Sequence, residues 1–192
     1  MNFLTDKTFI RFVIKFLLIF AICYYGTLAI IGVSVPGGYY SPFIEHNLNF
    51  VNWIRSTLLN SSKFLLSLFK VDTYLASNYN LRVVGGRGIR LVYECVGYGI
   101  MSFWIAFVIA SAGSFKKKTV WLIFGLLFIW LLNVIRLSLL LVATQHGWPM
   151  PLGWDHHTWF SIFAYLFIFI FIFLFNRQSN KPTEAGSEKN KA

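Results

Sequence analysis

Three residue types that do chemistry in proteins occur in three separate apolar segments of this sequence. Cys95 begins one segment, Arg136 lies inside the next, and the adjacent histidines His156 and His157 precede the last. A thiolate is a nucleophile, a guanidinium carries a fixed charge on a fork of N–H donors, and an imidazole exchanges protons near neutral pH. Together these groups are the components of cysteine-based nucleophilic catalysis.

Each of these residues also has an ordinary structural interpretation. A single cysteine in a membrane segment is most often a small packing residue, as we expect for Cys23. The two histidines are close to Trp154 and Trp159, as in the aromatic belt at a membrane interface. Arg136 is the least ordinary, because a charge inside a span costs at least ~2.5–3.5 kcal/mol on insertion scales. It normally faces a partner or a wet cavity, unless it snorkels toward the headgroups.

The composition identifies an integral membrane protein. The 192 residues are 57% hydrophobic, 19% aromatic and only 12% charged, and the mean hydropathy is +0.63. An ordinary soluble domain has about 25% charged residues, so a soluble enzyme and a disordered protein are both excluded. The net charge of +10 arises mostly from short clusters beside apolar segments. The positive-inside rule predicts such clusters, and no separate basic surface for nucleic acid is visible.

Four apolar segments approach or exceed the length needed to cross ~30 Å of hydrocarbon. We therefore predict an all-α integral membrane helical bundle, a single domain over residues 1–175, with spans at about residues 12–35, 95–112, 120–143 and 158–175. The basic N-terminus, the lysines at 116–118 and the basic tail place both termini in the cytoplasm. The polar tail, residues 176–192, is predicted to be disordered.

The long outer loop, residues 36–94, is predicted to be structured. Residues 43–69 carry apolar side chains at mostly helical spacing, which indicates one or two amphipathic helices on the membrane or over the bundle. Glycines at 85, 86 and 88 separate two short apolar stretches and predict a small β-hairpin over residues 81–94. The hairpin would hold Cys95 at the outer edge of the second span.

This topology brings the residues of chemical interest to one depth. The third span enters from the cytoplasm near Val120, and sixteen residues of helix carry Arg136 ~24 Å across, into the outer leaflet. Asn133 is three residues earlier and therefore on the same helical face. Cys95 and the histidines begin their spans on the outer side, so we expect the thiol, the guanidinium and an imidazole to converge there.

These residues resemble the exosortase/archaeosortase family. That family's pattern is a Cys with a Gly two residues on, then Asn-x-x-Arg, then a His. Here the corresponding stretches are Glu94-Cys-Val-Gly97, Asn133-Val-Ile-Arg136 and His157-Thr-Trp-Phe-Ser. The resemblance covers about residues 81–175. Many members are larger, so this chain would be a short variant, and Val96 and Ser161 depart from residues common in the family.

The resemblance implies a membrane cysteine transpeptidase or protease. Its partners would be exported proteins whose C-terminal sorting signal is a short motif, a transmembrane helix and a basic end. The resemblance implies a multi-pass protein of a bacterial or archaeal cytoplasmic membrane, with membrane lipid around it and the active site facing outside. Neither a cofactor nor a metal nor nucleic acid is expected.

The resemblance also implies a role for each site residue. Cys95 would attack a backbone carbonyl and form a thioester, and Arg136 would favour the thiolate and donate to the oxyanion. His157 would act as base or imidazolium partner, preferred to His156 because its spacing to the following Phe fits the family. Asn133 would orient Arg136 or bind substrate backbone. The supporting residues are therefore Asn133, Glu94 and His156.

Three other classes of function remain open, and a serine intramembrane protease is poorly supported because Ser138 lies in no Gly-x-Ser-x-Gly context. In a non-catalytic membrane subunit or scaffold, Arg136 would pair with another chain, and Cys95→Ala would leave the function intact. A metal site is less supported than a scaffold, because the sequence has neither HExxH nor another spaced ligand set. Its candidate ligands would be the outer-loop residues His146, Asp155, His156 and His157.

Overall fold

A computed structural model describes residues 7–35, 39–148 and 156–179, with the backbone alone at residues 156–158, 160–161 and 178–179. The chain is mostly helical. Its helices are α1 (Lys7–Ser34), α2 (Pro42–Asn47), α3 (Phe50–Leu68), α4 (Tyr98–Ala110), α5 (Phe115–His146) and α6 (His156–Ser179). Between α3 and α4 lie strands β1 (Thr73–Ser77), β2 (Asn80–Val83) and β3 (Gly88–Arg90). A 3-10 helix, Tyr93–Val96, follows them; we call it the cysteine turn because it contains Cys95.

Within the described residues, two helices are long and apolar enough to cross a bilayer by themselves. They are α1, with 28 residues, and α5, with 32. The described apolar parts of α4 and α6, Tyr98–Ala110 and Ile162–Arg177, are shorter. The 13 residues of α4 extend ~20 Å, less than the ~30 Å of a hydrocarbon core. The helical fold agrees with the sequence, and the count of four spans remains a prediction.

The predicted amphipathic helices of the outer loop are confirmed as α2 and α3. The side chain of Asn49 caps α3 by accepting a hydrogen bond from the backbone N–H of Asn52 at 2.9 Å. The residues that α3 buries recur at helical spacing, as in a helix packed on one face. They are Val51, Arg55, Leu58, Leu59, Ser62 and Leu66.

The predicted hairpin over residues 81–94 is only partly correct. Strands β2 and β3 pair antiparallel, with Leu81 opposite Ile89, but β1 adds a third strand in the order β1-β2-β3. Strand β3 also ends at Arg90, because the chain turns away into the cysteine turn. The N–H of Leu91 donates to the carbonyl of Tyr79 at 2.8 Å as the strand ends. The sheet is therefore larger than predicted, and its last strand is shorter.

Two hydrophobic cores lie at different levels along α5. The inner core is aromatic and joins α4, α5 and α6 through Trp104, Phe107, Val108, Ile129, Phe171 and Phe175. The outer core joins α3, the sheet and the cysteine turn to residues Val134, Leu137 and Leu141 of α5. Since α5 belongs to both cores, it sets the position of α3 and the sheet relative to α4 and α6.

Two lysines at the start of α5 bind the last turns of its neighbours. Lys117 Nζ donates to the carbonyl of Phe175 at 2.8 Å, and Lys118 Nζ donates to the carbonyl of Ile109 at 2.9 Å. A cation is favourable at a helix C-terminus, where carbonyls lack intrahelical partners. Helices α4 and α6 therefore end beside the start of α5. Arg136 lies ~28 Å further along α5, toward its opposite end.

Candidate active site

The cysteine turn is a short 3-10 helix that ends at a glycine. The N–H of Cys95 donates to the carbonyl of Val92 at 3.0 Å. Gly97 then adopts φ +85° and separates the turn from α4. A left-handed backbone costs a residue with a side chain about 1–2 kcal/mol, so glycine suits this position. Cys95 therefore lies just before the helix of the second apolar segment, not inside it as the predicted span 95–112 implies.

The guanidinium of Arg136 contacts the Cys95 thiol. Arg136 Nη2 lies 3.7 Å from Cys95 Sγ, and Nη1 lies 3.5 Å from the carbonyl oxygen of the same residue. Arg136 is 9% exposed and Cys95 is half-buried. An arginine in contact with a partly exposed cysteine sulfur is an arrangement found at reactive cysteines. The structure therefore brings together two of the three residue types selected from the sequence.

Asn133 holds the residue after the cysteine. Its Nδ2 donates to the carbonyl of Val96 at 3.1 Å, and its side chain is 0% exposed. A Cβ added at Gly97 would lie 2.5 Å from the same nitrogen, closer than real Cβ contacts. Glycine is therefore required here for its backbone conformation and for the space that Asn133 occupies. One turn of α5 thus holds residues 95 and 96 through Arg136 and Asn133.

Helix α3 braces this arrangement from the other side. Its residues pack with the cysteine turn and with α5 in the outer core. Ser62 Oγ donates to the carbonyl of Val134 at 3.4 Å, and Trp130 Nε1 donates to Thr57 Oγ1 at 3.3 Å. Val96 is fully buried in the same core. The turn is therefore held in place by packing as well as by two side-chain donors.

Arg55 is a residue of the site region that the sequence analysis missed. It is 8% exposed, and its guanidinium carbon lies 4.6 Å from the ring centroid of Tyr93 and 5.7 Å from that of Tyr79. Nη2 donates to Asn52 Oδ1. Cation–π contacts of this kind stabilise a partly desolvated guanidinium. A charged residue on the apolar face of α3 was the available indication, because it falls at the spacing of the buried residues.

The turn between β2 and β3 is attached to the far end of α5. The N–H of Arg87 donates to Gln145 Oε1 at 2.8 Å, and Arg87 Nη1 donates to the carbonyl of Thr144 at 3.3 Å. Helix α5 ends at Gly147, which has φ +62°. The sheet therefore bridges from the cysteine turn to the end of the helix that carries Arg136.

For the other residues selected from the sequence, the part of the chain that the structure describes shows no contact with the Cys95 thiol. Glu94 lies in the cysteine turn with an exposed side chain. His156 and His157 are the first residues of α6, and their side chains lie outside the described residues, as does all of Asp155. His146 is exposed at the end of α5, with its ring 5.8 Å from that of Trp148. Across the described residues, no three His, Cys, Asp or Glu side chains are grouped closely enough to hold a metal.

Comparison with known proteins identifies the family. The model of the family described as transmembrane exosortase (Exosortase_EpsH) matches residues 13–175, which include the whole site region. The chain belongs to the transmembrane exosortase family. It is thus a membrane protein, and the resemblance drawn from its three motifs is confirmed.

Exosortase relatives match this chain over limited lengths. Archaeosortase A of Natronomonas pharaonis is 32% identical over 63 residues, which are 33% of this chain. The matched stretch is 20% of that protein, so the chain spans about a fifth of the relative's length. No solved structure matches the chain.

Proposed function

We propose that this exosortase is a membrane cysteine transpeptidase or protease that cleaves the C-terminal sorting signals of exported proteins. The observation that carries the proposal is the contact of Arg136 Nη2 with Cys95 Sγ at 3.7 Å. Burying a guanidinium in a membrane segment has a large free-energy cost. Its direct contact with a sulfur atom supports a role for Arg136 in the chemistry of Cys95. Membership of the exosortase family supports the same class of reaction.

The first half of the reaction is acylation of Cys95. The Cys95 thiolate attacks the scissile carbonyl carbon, and the carbonyl oxygen becomes an oxyanion in the tetrahedral intermediate. The intermediate collapses as the C–N bond breaks, which leaves a thioester on Cys95 and releases the C-terminal helix with a new amino group. A proton must reach that amino group, and we assign its delivery to His157.

Arg136 serves both charged species in this scheme. Before attack its guanidinium compensates the thiolate, and after attack it donates to the oxyanion from the same position. A guanidinium has five N–H donors in a fixed fork, so one group can hold the turn and the developing charge together. Asn133 is a positioning residue in the scheme, since its donor is occupied by the Val96 carbonyl.

The second half of the reaction resolves the thioester. An amine or water attacks the thioester carbonyl, the carbon–sulfur bond breaks, and Cys95 returns as a thiolate. Transfer to an amine makes the protein a transpeptidase, and transfer to water makes it a protease. His157, having given up its proton, accepts one from the attacking group.

The decisive experiment replaces the nucleophile. The reporter is an exported protein, encoded beside this chain, that ends in a motif, an apolar helix and basic residues. We expect Cys95→Ala to abolish its cleavage and Cys95→Ser to abolish it nearly completely, at equal membrane levels of each variant. The wild-type protein should also accumulate a reporter adduct on Cys95 that hydroxylamine releases. Cleavage by Cys95→Ala would overturn the proposal and favour a non-catalytic subunit.

A further inference from the structure

An apolar groove has the first residue of α4 in its lining, two residues after the cysteine turn. It lies between α1, α3 and α4, reaches α5 at Leu126, and has a volume of about 400 Å³. Leu126 is ten residues before Arg136 on α5, so the groove extends ~15 Å from the level of the site toward the other side. It lies outside the site described above and has no role in that chemistry.

The outer end of the groove adjoins the cysteine turn. Tyr98 lines the groove and is the first residue of α4, directly after Gly97. Ile54 lines it from α3, next to Arg55, whose guanidinium stacks on Tyr93 of the cysteine turn. Two walls of the groove therefore continue into the residues that hold Cys95.

Small residues form part of both long walls. Gly26 and Thr27 line the groove from α1, and Ser102 lines it from α4. A Cβ at Gly26 would meet nothing within 4 Å, so the wall is open at that point. Small residues on membrane helices allow the backbone of another helix to approach closely.

Ser102 carries a hydroxyl that makes no hydrogen bond within the described part of the chain. It is 3% exposed and lines the groove. Ser111, just after α4, and Ser138, in α5, are buried too, but each donates to the carbonyl four residues earlier, at 2.6 and 2.9 Å. A hydroxyl that lines an apolar groove can donate a hydrogen bond to a polar group of a bound helix.

We propose that this groove seats the transmembrane helix of the sorting signal, with its outer end at Cys95. The inference rests on the proposed function. Attack requires the scissile carbonyl within about 3–3.5 Å of the sulfur atom, so the substrate chain must pass the cysteine turn as it enters the membrane. The groove includes the first residue of α4 after that turn, has an apolar lining, and offers the Ser102 hydroxyl to a polar group of the bound helix.

A pair of glycines in α1 gives a matched test. Gly26 lines the groove and Gly32 does not, and a Cβ at either position would meet nothing within 4 Å. We expect Gly26→Leu to slow cleavage of the membrane reporter by at least about tenfold, equivalent to ~1.4 kcal/mol, because the side chain fills the helix position. Gly32→Leu should cleave as wild type does. Both variants should alkylate Cys95 with iodoacetamide at the wild-type rate.

Ser102→Ala provides a second variant that removes no hydrogen bond seen in the described chain. It should leave the melting temperature unchanged and slow reporter cleavage by about three- to tenfold, the effect of one lost hydrogen bond. Equal cleavage by wild type, Gly26→Leu and Ser102→Ala would overturn the groove assignment. The proposed function would survive that result as long as Cys95→Ala remained inactive.

Photo-crosslinking separates a helix from a lipid as the occupant. p-Benzoylphenylalanine at Ile105, which lines the groove, is compared with the same group at Ile109, which is exposed on α4 outside it. In the Cys95→Ala background, which keeps the reporter intact, we expect a covalent adduct with the reporter helix from Ile105 alone. Adducts with phospholipid only, or equal reporter adducts from both positions, would contradict the proposal.

Discussion

The carboxamide of Asn133 fills the space that a side chain at residue 97 would need. Its Nδ2 bonds the Val96 carbonyl at 3.1 Å and would lie 2.5 Å from a Cβ at Gly97. Asn133 is on α5 and Gly97 lies between the cysteine turn and α4, so the two residues meet through the turn that carries Cys95. The spacing of cysteine and glycine thus has a geometric reason, since the glycine admits the side chain that holds the turn.

Gly97→Ala tests this relationship directly. The new methyl group meets Asn133. The φ of +85° costs alanine a further ~1–2 kcal/mol, so we expect the backbone of the turn to shift. We expect a lower melting temperature in detergent and a large loss of reporter cleavage. Gly99→Ala is the control, because its Cβ meets only Tyr24 at an ordinary 3.6 Å. Wild-type cleavage by Gly97→Ala would show that the turn tolerates a side chain there.

A double-mutant cycle measures the coupling of the same pair. Asn133→Ala removes the donor to Val96 and should destabilise the protein, since it leaves a buried carbonyl unbonded. It also removes the group that the Gly97→Ala methyl would meet. The double variant should therefore be less destabilised than the sum of the singles by about 0.5–3 kcal/mol, read from denaturant unfolding in detergent. Strict additivity would mean that the two side chains do not compete for space.

Arg136→Lys tests whether charge alone suffices. A lysine retains the positive charge but loses the planar fork that reaches both the sulfur and the carbonyl of Cys95. We expect the variant to fold and to cleave the reporter about 10²–10³-fold more slowly, the cost of losing one oxyanion donor. The measurement is the single-turnover rate at equal protein level. A rate equal to that of the wild type would show that catalysis needs the positive charge of Arg136 but not its two-pronged guanidinium.

The two histidines at the start of α6 are distinguished by substitution and by pH. We expect His157→Ala to remove most cleavage and His156→Ala to retain a substantial part. Protonation at low pH removes the thiolate–imidazole pair, so wild-type cleavage should decline as the pH falls below neutrality. His157→Ala should lose that low-pH limb while retaining its small residual rate. The reverse behaviour of the two variants would transfer the role to His156.

The side of the membrane on which the site lies is open to thiol labelling. In a Cys23→Ala, Cys95→Ala background, Trp148→Cys lies after the outer end of α5 and Phe115→Cys lies at its start. Both positions are exposed, at 55% and 84%. An impermeant maleimide added to intact cells should label the first and not the second. The opposite pattern would place the site in the cytoplasm and contradict the sorting proposal.

Several features of this protein follow from the sequence by itself. The low charge content and the long apolar runs determine a membrane protein, because no soluble fold could cover so much apolar surface. The family is recognisable because its three motifs are short-range patterns along the chain, each complete within a few residues. The approach of Arg136 to Cys95 also follows in outline, since helix rise converts residue number into depth.

Tertiary structure decided which side chains meet at that depth. Arg136 and Asn133 contact residues 41 and 37 positions away in the chain, and helix rise does not specify the rotation of one helix against another. For that reason the binding of Asn133 to Val96, the stacking of Arg55 on Tyr93 and the third strand were all missed. Each depends on long-range packing of α3 and the sheet against α5, which local periodicity does not encode.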